Sequence, residues 1–213
     1  MRNVPLVLVL ALTGCTSLYY EAMEKIGKEK RDILMQRIVD SKKDQEAAAK
    51  QFKTTLEAFQ DVTGFEGGNL EKTYKKLNGE FEDAESRAKQ LSDRIKSIDQ
   101  VSSDLFKEWA TELGKIQDAT LRSRSQRLMR DTRLRNQQYL ARMKQTERKM
   151  QPVLQAFRDQ VLFLKHNLNA SAIGSLKTTA TKLDGDVSLL MADIQGSIKE
   201  ADAFIQTLST PQP

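Results

Sequence analysis

The sequence predicts an all-α fold, an elongated antiparallel coiled-coil or helical-bundle rod of three to four long helices, and three observations carry that expectation. Only 10 glycines and 4 prolines occur in 213 residues, so little punctuates a helix. Charged residues make up 30%, with 34 basic against 29 acidic, as solvated helix faces require. Apolar residues also recur at sevens over long stretches, the period of helices packed side by side. The same composition excludes chemistry. One cysteine cannot close an internal disulfide, and one cysteine with one histidine cannot supply a zinc site, so no metal and no cofactor is expected.

Met1-Arg2-Asn3 is a short positive start, Val4 to Leu12 is apolar, and Leu12-Thr13-Gly14-Cys15 follows. The apolar run is too short to span a bilayer and reads as a targeting segment. Leu-Thr-Gly-Cys resembles the lipobox of bacterial lipoproteins, in which the cysteine thiol is acylated and becomes the mature N-terminus. The resemblance implies a signal peptide over 1–14, lipidation at Cys15 and a single helical domain over 15–213. Several acyl chains, at about 0.8 kcal/mol per buried methylene, anchor stably where one would not. Thr16, in place of an aspartate, resembles the outer-membrane sorting pattern. The alternative is a buried N-terminal helix in which Cys15 is a small core residue.

From Glu21 to Val62 there is no proline, and Ile26, Ile33, Leu34, Ile38, Ala49, Phe52, Leu56 and Phe59 mark one amphipathic helix. Gly64-Phe65-Glu66-Gly67-Gly68-Asn69 then predicts a reversal, with Asn69 as N-cap of the next helix. Leu70, Leu77, Ala84, Leu91, Ile98 and Leu105 follow at sevens, interleaved with Tyr74, Phe81, Ala88, Ile95, Ser102 and Trp109. This is a sustained coiled-coil seam, and Asn78-Gly79 within it is a weak helical spot rather than a hairpin. The phase drifts at Leu113 and Ile116 and is lost over Gln117 to Thr120. A new stripe runs through Leu121, Leu128, Tyr139, Met143, Met150, Leu154, Phe157 and Val161 to Leu168, bent by Pro152. Asn167 to Gly174 is the second turn, and Leu176, Leu183, Leu190 with Val187, Ile194 and Ala201 carry a last helix to about Leu208.

Two architectures fit these lengths. Either residues 70–168 form one long kinked helix with the outer helices folded onto its halves, or the chain reverses near Gln117 to Thr120 into a four-helix bundle. Gly114 alone is a weak turn signal, which favours the extended rod.

No Gly-x-x-x-x-Gly-Lys-Ser/Thr occurs, so phosphate-loop nucleotide hydrolysis has no support, and His166 has no serine or cysteine partner placed to use it. It reads as a helix C-terminal residue interacting with the last carbonyls. Glu80, Glu82, Asp83 and Glu85 read as a solvated face. The chain is not expected to be an enzyme.

The net charge of +5 is unevenly spread. Between Arg122 and Lys149 ten basic residues stand against Asp131 and Glu147, a local balance of +8 that leaves the rest of the chain acidic. Arg122, Arg124, Arg127, Arg130, Arg133 and Arg135 are the candidate contacts, since guanidinium suits bidentate pairing with phosphate or carboxylate. Internal pairing with neighbouring helices is one use of this charge. The other is an anionic envelope component or an acidic protein, with nucleic acid disfavoured for an exported chain.

Phe157-Arg158-Asp159-Gln160-Val161-Leu162-Phe163-Leu164-Lys165-His166-Asn167-Leu168-Asn169-Ala170 closely resembles an uncharacterised family of bacterial exported coiled-coil proteins. Thr63-Gly64-Phe65-Glu66-Gly67-Gly68, Lys107-Glu108-Trp109 and Glu200-Ala201-Asp202-Ala203-Phe204-Ile205 share the resemblance. It implies a helical lipoprotein or periplasmic protein and brings no activity. Some members carry a DNA-repair ATPase label that the missing phosphate loop contradicts. Phe157 to Ala170 is apolar on more than one face, as dense core or as a self-association surface would be, so a homo-oligomer is an open expectation.

Together these features predict a periplasm-facing envelope protein, lipid-anchored at the outer membrane, acting as a non-enzymatic scaffold. The alternative is a cytoplasmic nucleic-acid-associated coiled coil whose true start is mis-assigned.

Overall fold

The computed structural model describes residues 29–209. Cys15, the expected leader over 1–14 and the expected first turns from Glu21 lie outside them. The described residues fold into helices α1 (Lys30–Thr63), α2 (Leu70–Leu113), α3 (Ala119–His166), the short α4 (Ala170–Ser175) and α5 (Lys177–Ser209).

The apolar periods dictate the packing. On α2 the seam at sevens is buried from Leu77 through Phe81, Ala84, Ala88, Leu91, Ile95 and Ile98 to Leu105. Leu183, Val187, Leu190, Ile194 and Ala201 of α5 are buried in the same way. Each stripe must be covered, and helix pairs cover one another in rotation: α1 packs on α2 and α5, and α3 packs on the same two. Adjacent helices run antiparallel. Lys30 pairs with Glu108 and Lys76 with Asp61 along α1 and α2, while Lys144 pairs with Asp99 and Arg158 with Glu85 along α2 and α3. Lys42 pairs with Asp202, and Gln60 reaches Asp184, along α1 and α5.

This arrangement replaces the expected extended rod. The chain reverses between α2 and α3, so residues 70–168 are two antiparallel helices and the fold is an up-down-up-down bundle. Five residues suffice for the turn. Gly114 keeps right-handed helical angles, and Asp118 caps α3 by accepting from the amides of Thr120 and Leu121 at 2.8 and 2.9 Å. The first reversal follows expectation: Gly68 takes φ 107°, where an L side chain is strained, and Asn69 Oδ1 accepts from the Lys72 amide at 2.9 Å. Asn78-Gly79 stays within α2, and Pro152 sits inside α3 on its exposed side. The second turn resolves into α4, capped by Asn169.

Helices α1 and α3 are diagonal partners and meet directly at the centre. Phe59 and Phe157 pack edge to face with centroids 6.3 Å apart. Ser41 and Tyr139 join through their hydroxyls; Ser41 donates to the Ile38 carbonyl, which leaves the phenol to donate to Ser41. Tyr139 also stacks obliquely on Phe204 of α5. Gly196 of α5 lies against the Arg142 guanidinium, where a Cβ would fall 2.5 Å from Nη2.

Phe157→Ala should cost about 3–5 kcal/mol in urea unfolding followed by circular dichroism, whereas Leu121→Ala, at a site 56% exposed, should stay within about 0.5 kcal/mol. Burial also pushes the Tyr139 phenol far above its usual range, with the Ser41 hydrogen bond opposing. Tyr74 shifts the same way, through burial first and Glu82 second. A folded phenol that keeps its proton while the unfolded one releases it near pH ~10 favours unfolding as pH rises through that value. Thermal unfolding should therefore show stability falling above about pH 10, less steeply in Tyr139→Phe.

Candidate functional site

The basic segment occupies the first part of α3, and its setting follows from unequal helix lengths. At Lys30, paired with Glu108 at 2.8 Å, α1 begins; near Met35, which Ser209 reaches at 3.4 Å, α5 ends. Arg133, donating to the Phe106 carbonyl at 3.5 Å, is level with that end. Residues 119–132 therefore project roughly 20 Å past the described ends of α1 and α5, accompanied by the end of α2. No residue from Ala119 to Asp131 is buried. Trp109 Nε1, donating to Ser125 Oγ at 2.9 Å, ties α3 to α2 there. Leu105, Trp109, Leu128, Thr132 and Leu208 line a groove of about 530 Å³ at this mouth of the bundle.

The ten cations do not act as one unit. Arg142, Lys144 and Lys149 are consumed internally: Arg142 lies 3.5 Å from Asp193, Lys149 closes on the same carboxylate, and Lys144 meets Asp99 at 2.7 Å. Asp193 is 13% exposed between its two cations. All six candidate arginines are exposed, and none meets a carboxylate on another helix among the described residues. Arg130 pairs only with adjacent Asp131, Arg127 donates to Ser123 Oγ, and Arg133 stands over the Phe106 ring at 5.0 Å. Arg122, Arg124 and Arg135 make no ion pair among the described residues.

This placement opposes helix stability. The α3 N-terminus bears the positive end of the helix dipole, which the Asp118 carboxylate partly offsets as N-cap, and no acidic residue occupies the first turn beyond it. Arg122 and Arg124 add like charge to that end.

Other expectations fare unevenly. His166 ends α3 and is exposed, but the side chain that reaches back is its neighbour: Asn167 Nδ2 donates to the Phe163 carbonyl at 2.8 Å. The acidic run is partly bound, with Glu80 accepting from Gln51 and Glu85 from Arg158. In Phe157 to Ala170, Phe157, Val161 and Leu164 are core, while Leu162 and Phe163 are 53% and 41% exposed. Among the described residues no group of three or more His, Cys, Asp or Glu is arranged to hold a metal. No described helix is long and apolar enough to cross a membrane. Cys15 lies outside the described residues.

A family model described as a protein of unknown function, DUF2959, matches residues 19–208. No curated protein and no solved structure matches the chain.

The division of the basic segment has a thermodynamic signature. Asp193→Asn leaves two cations without their carboxylate and should cost about 1 kcal/mol. Arg122→Glu should leave the melting temperature unchanged or raise it, because a carboxylate near the α3 N-terminus complements the dipole. Thermal denaturation of the two variants checks both directions.

Proposed function

Because the chain belongs to the DUF2959 family of proteins of unknown function, no activity comes with membership, and we propose a role from sequence and geometry: a non-enzymatic, lipid-anchored envelope protein. It faces the periplasm from the outer membrane, serves as a helical spacer or scaffold, and meets an anionic envelope component through Arg122 to Arg135. One observation supports this most: the exposed arginines, which meet no carboxylate on another helix among the described residues, project from the end of the bundle at which α1 begins. Cys15 precedes Lys30 by fifteen residues, a reach of at most roughly 50 Å. The α1 helix, 34 residues and about 50 Å long, carries the opposite end of the bundle a similar distance away. A bilayer holding Cys15 therefore lies more readily at the arginine end.

Labelling cells with palmitate should mark the wild-type chain and leave Cys15→Ala unmarked. Reversing charge at Arg127, Arg130 and Arg133 should weaken association with isolated envelopes while helicity stays intact. Labelling that ignores Cys15 would remove the anchor, and unchanged association would return the arginines to a solvated surface.

A further inference from the structure

The large exposed hydrophobic side chains among the described residues are Leu121, Leu134, Leu162, Phe163 and Leu189, and four of the five belong to α3. Their angular positions matter. At ~100° per residue, the buried Tyr139, Met143, Met150, Phe157 and Val161 define the inner side of α3. Leu134, Leu162 and Phe163 all fall on the opposite, outer side, within an arc of about 140° whose one edge touches α2 through Arg133 and Arg158 and which is otherwise exposed among the described residues. Arg122, Arg127, Arg130, Arg133 and Arg148 fall in the same arc. Asp131 and Glu147, the carboxylates of the basic segment, fall outside it. Asp159 is the acidic residue within it, and it accepts from Gln155 at 2.7 Å.

One face of one helix thus carries guanidinium groups along its first ~40 Å and bulky apolar side chains at intervals to its far end. Few partners satisfy both. A polyanion in water, such as nucleic acid, pairs with the arginines and gives Leu162 and Phe163 nothing. A bilayer with anionic headgroups offers phosphates at its surface and hydrocarbon a few ångströms below, which is the layered chemistry that interfacial helices match.

We propose that the outer face of α3 is a docking surface for an anionic phospholipid bilayer. Arg122, Arg127, Arg130 and Arg133 contact lipid phosphates, and Leu134, Leu162 and Phe163 enter the headgroup boundary, so that the bundle lies along the membrane. The proposal rests on the reading that the chain is held at the envelope and names the anion there as lipid phosphate.

The test is co-sedimentation of the full chain with vesicles of phosphatidylcholine alone and of equimolar phosphatidylcholine and phosphatidylglycerol. Because Val4 to Leu12 can bind either bilayer, the ratio of the two partition coefficients is the readout. The wild-type chain should prefer the anionic vesicles by more than about tenfold at low salt, with the preference shrinking as salt rises. Combined Arg122→Glu, Arg127→Glu and Arg130→Glu should abolish the preference; the corresponding glutamine variants serve if the reversed chain loses helicity. Combined Leu162→Ala and Phe163→Ala should lower anionic-vesicle binding a few-fold without changing its salt dependence. No preference in the wild type, or a preference unaffected by the arginine variants, overturns the proposal. So does anionic-vesicle binding insensitive to Leu162 and Phe163, or duplex DNA binding at physiological salt stronger than vesicle binding, either of which marks a general polyanion site. If envelope association depends on Arg127, Arg130 and Arg133 while vesicles show no preference, the anchored-scaffold reading stands and the lipid assignment alone falls.

Discussion

The register in which α1 and α3 meet across the diagonal governs the rest of this bundle. The Ser41–Tyr139 pair is separated by 98 residues, and Phe59–Phe157 by the same interval, so two contacts near different ends of α1 specify one alignment. Sliding either helix by a turn would break the buried hydroxyl pair and the edge-to-face ring contact together. Neighbours α2 and α5 then fill the two remaining sides, each limited to the position where its apolar stripe meets the others. With register fixed, helix length alone decides what protrudes. The 48 residues of α3 exceed the 34 of α1 and the 33 of α5, and the surplus emerges with its arginines at one end.

Charge follows the same geometry. A net +5 says little, since the molecule sorts its cations by whether a neighbouring helix brings a carboxylate beside them. Where α2 and α5 flank α3, Asp99 and Asp193 close on Lys144, Arg142 and Lys149. Toward the α3 N-terminus no such partner stands among the described residues. Arg122, at the edge of the first turn, stands where the helix dipole disfavours a cation, with the Asp118 cap offsetting it.

Much of this was written in the sequence because it rests on local rules. The seams at sevens, the glycine-rich reversal and the Asn69 cap each follow from side-chain period or backbone freedom, and each is found in place. The second reversal was obscured because its turn needs no positive φ: Gly114 stays right-handed, and the informative residue is Asp118, an N-cap where the heptad phase is lost. The division of the basic segment was not legible, because it depends on which carboxylates a distant helix brings near. The same holds for Leu162 and Phe163, whose exposure follows from there being no covering helix on that side of α3 among the described residues. His166 was placed correctly at a helix end, but the carbonyl contact belongs to Asn167, a difference of one residue that periodicity cannot resolve.

The contact between Gly196 and Arg142 also constrains the order of mutation. An alanine at 196 meets the guanidinium at 2.5 Å and pushes it from its place beside Asp193. If position 142 shortens first, the space above 196 opens and a side chain there becomes ordinary helix surface. The two changes therefore commute in their final product but not in their path. The two intermediates differ: with position 142 shortened, Asp193 keeps Lys149 alone, and with position 196 enlarged, the flexible guanidinium tip moves aside while its charge stays nearby.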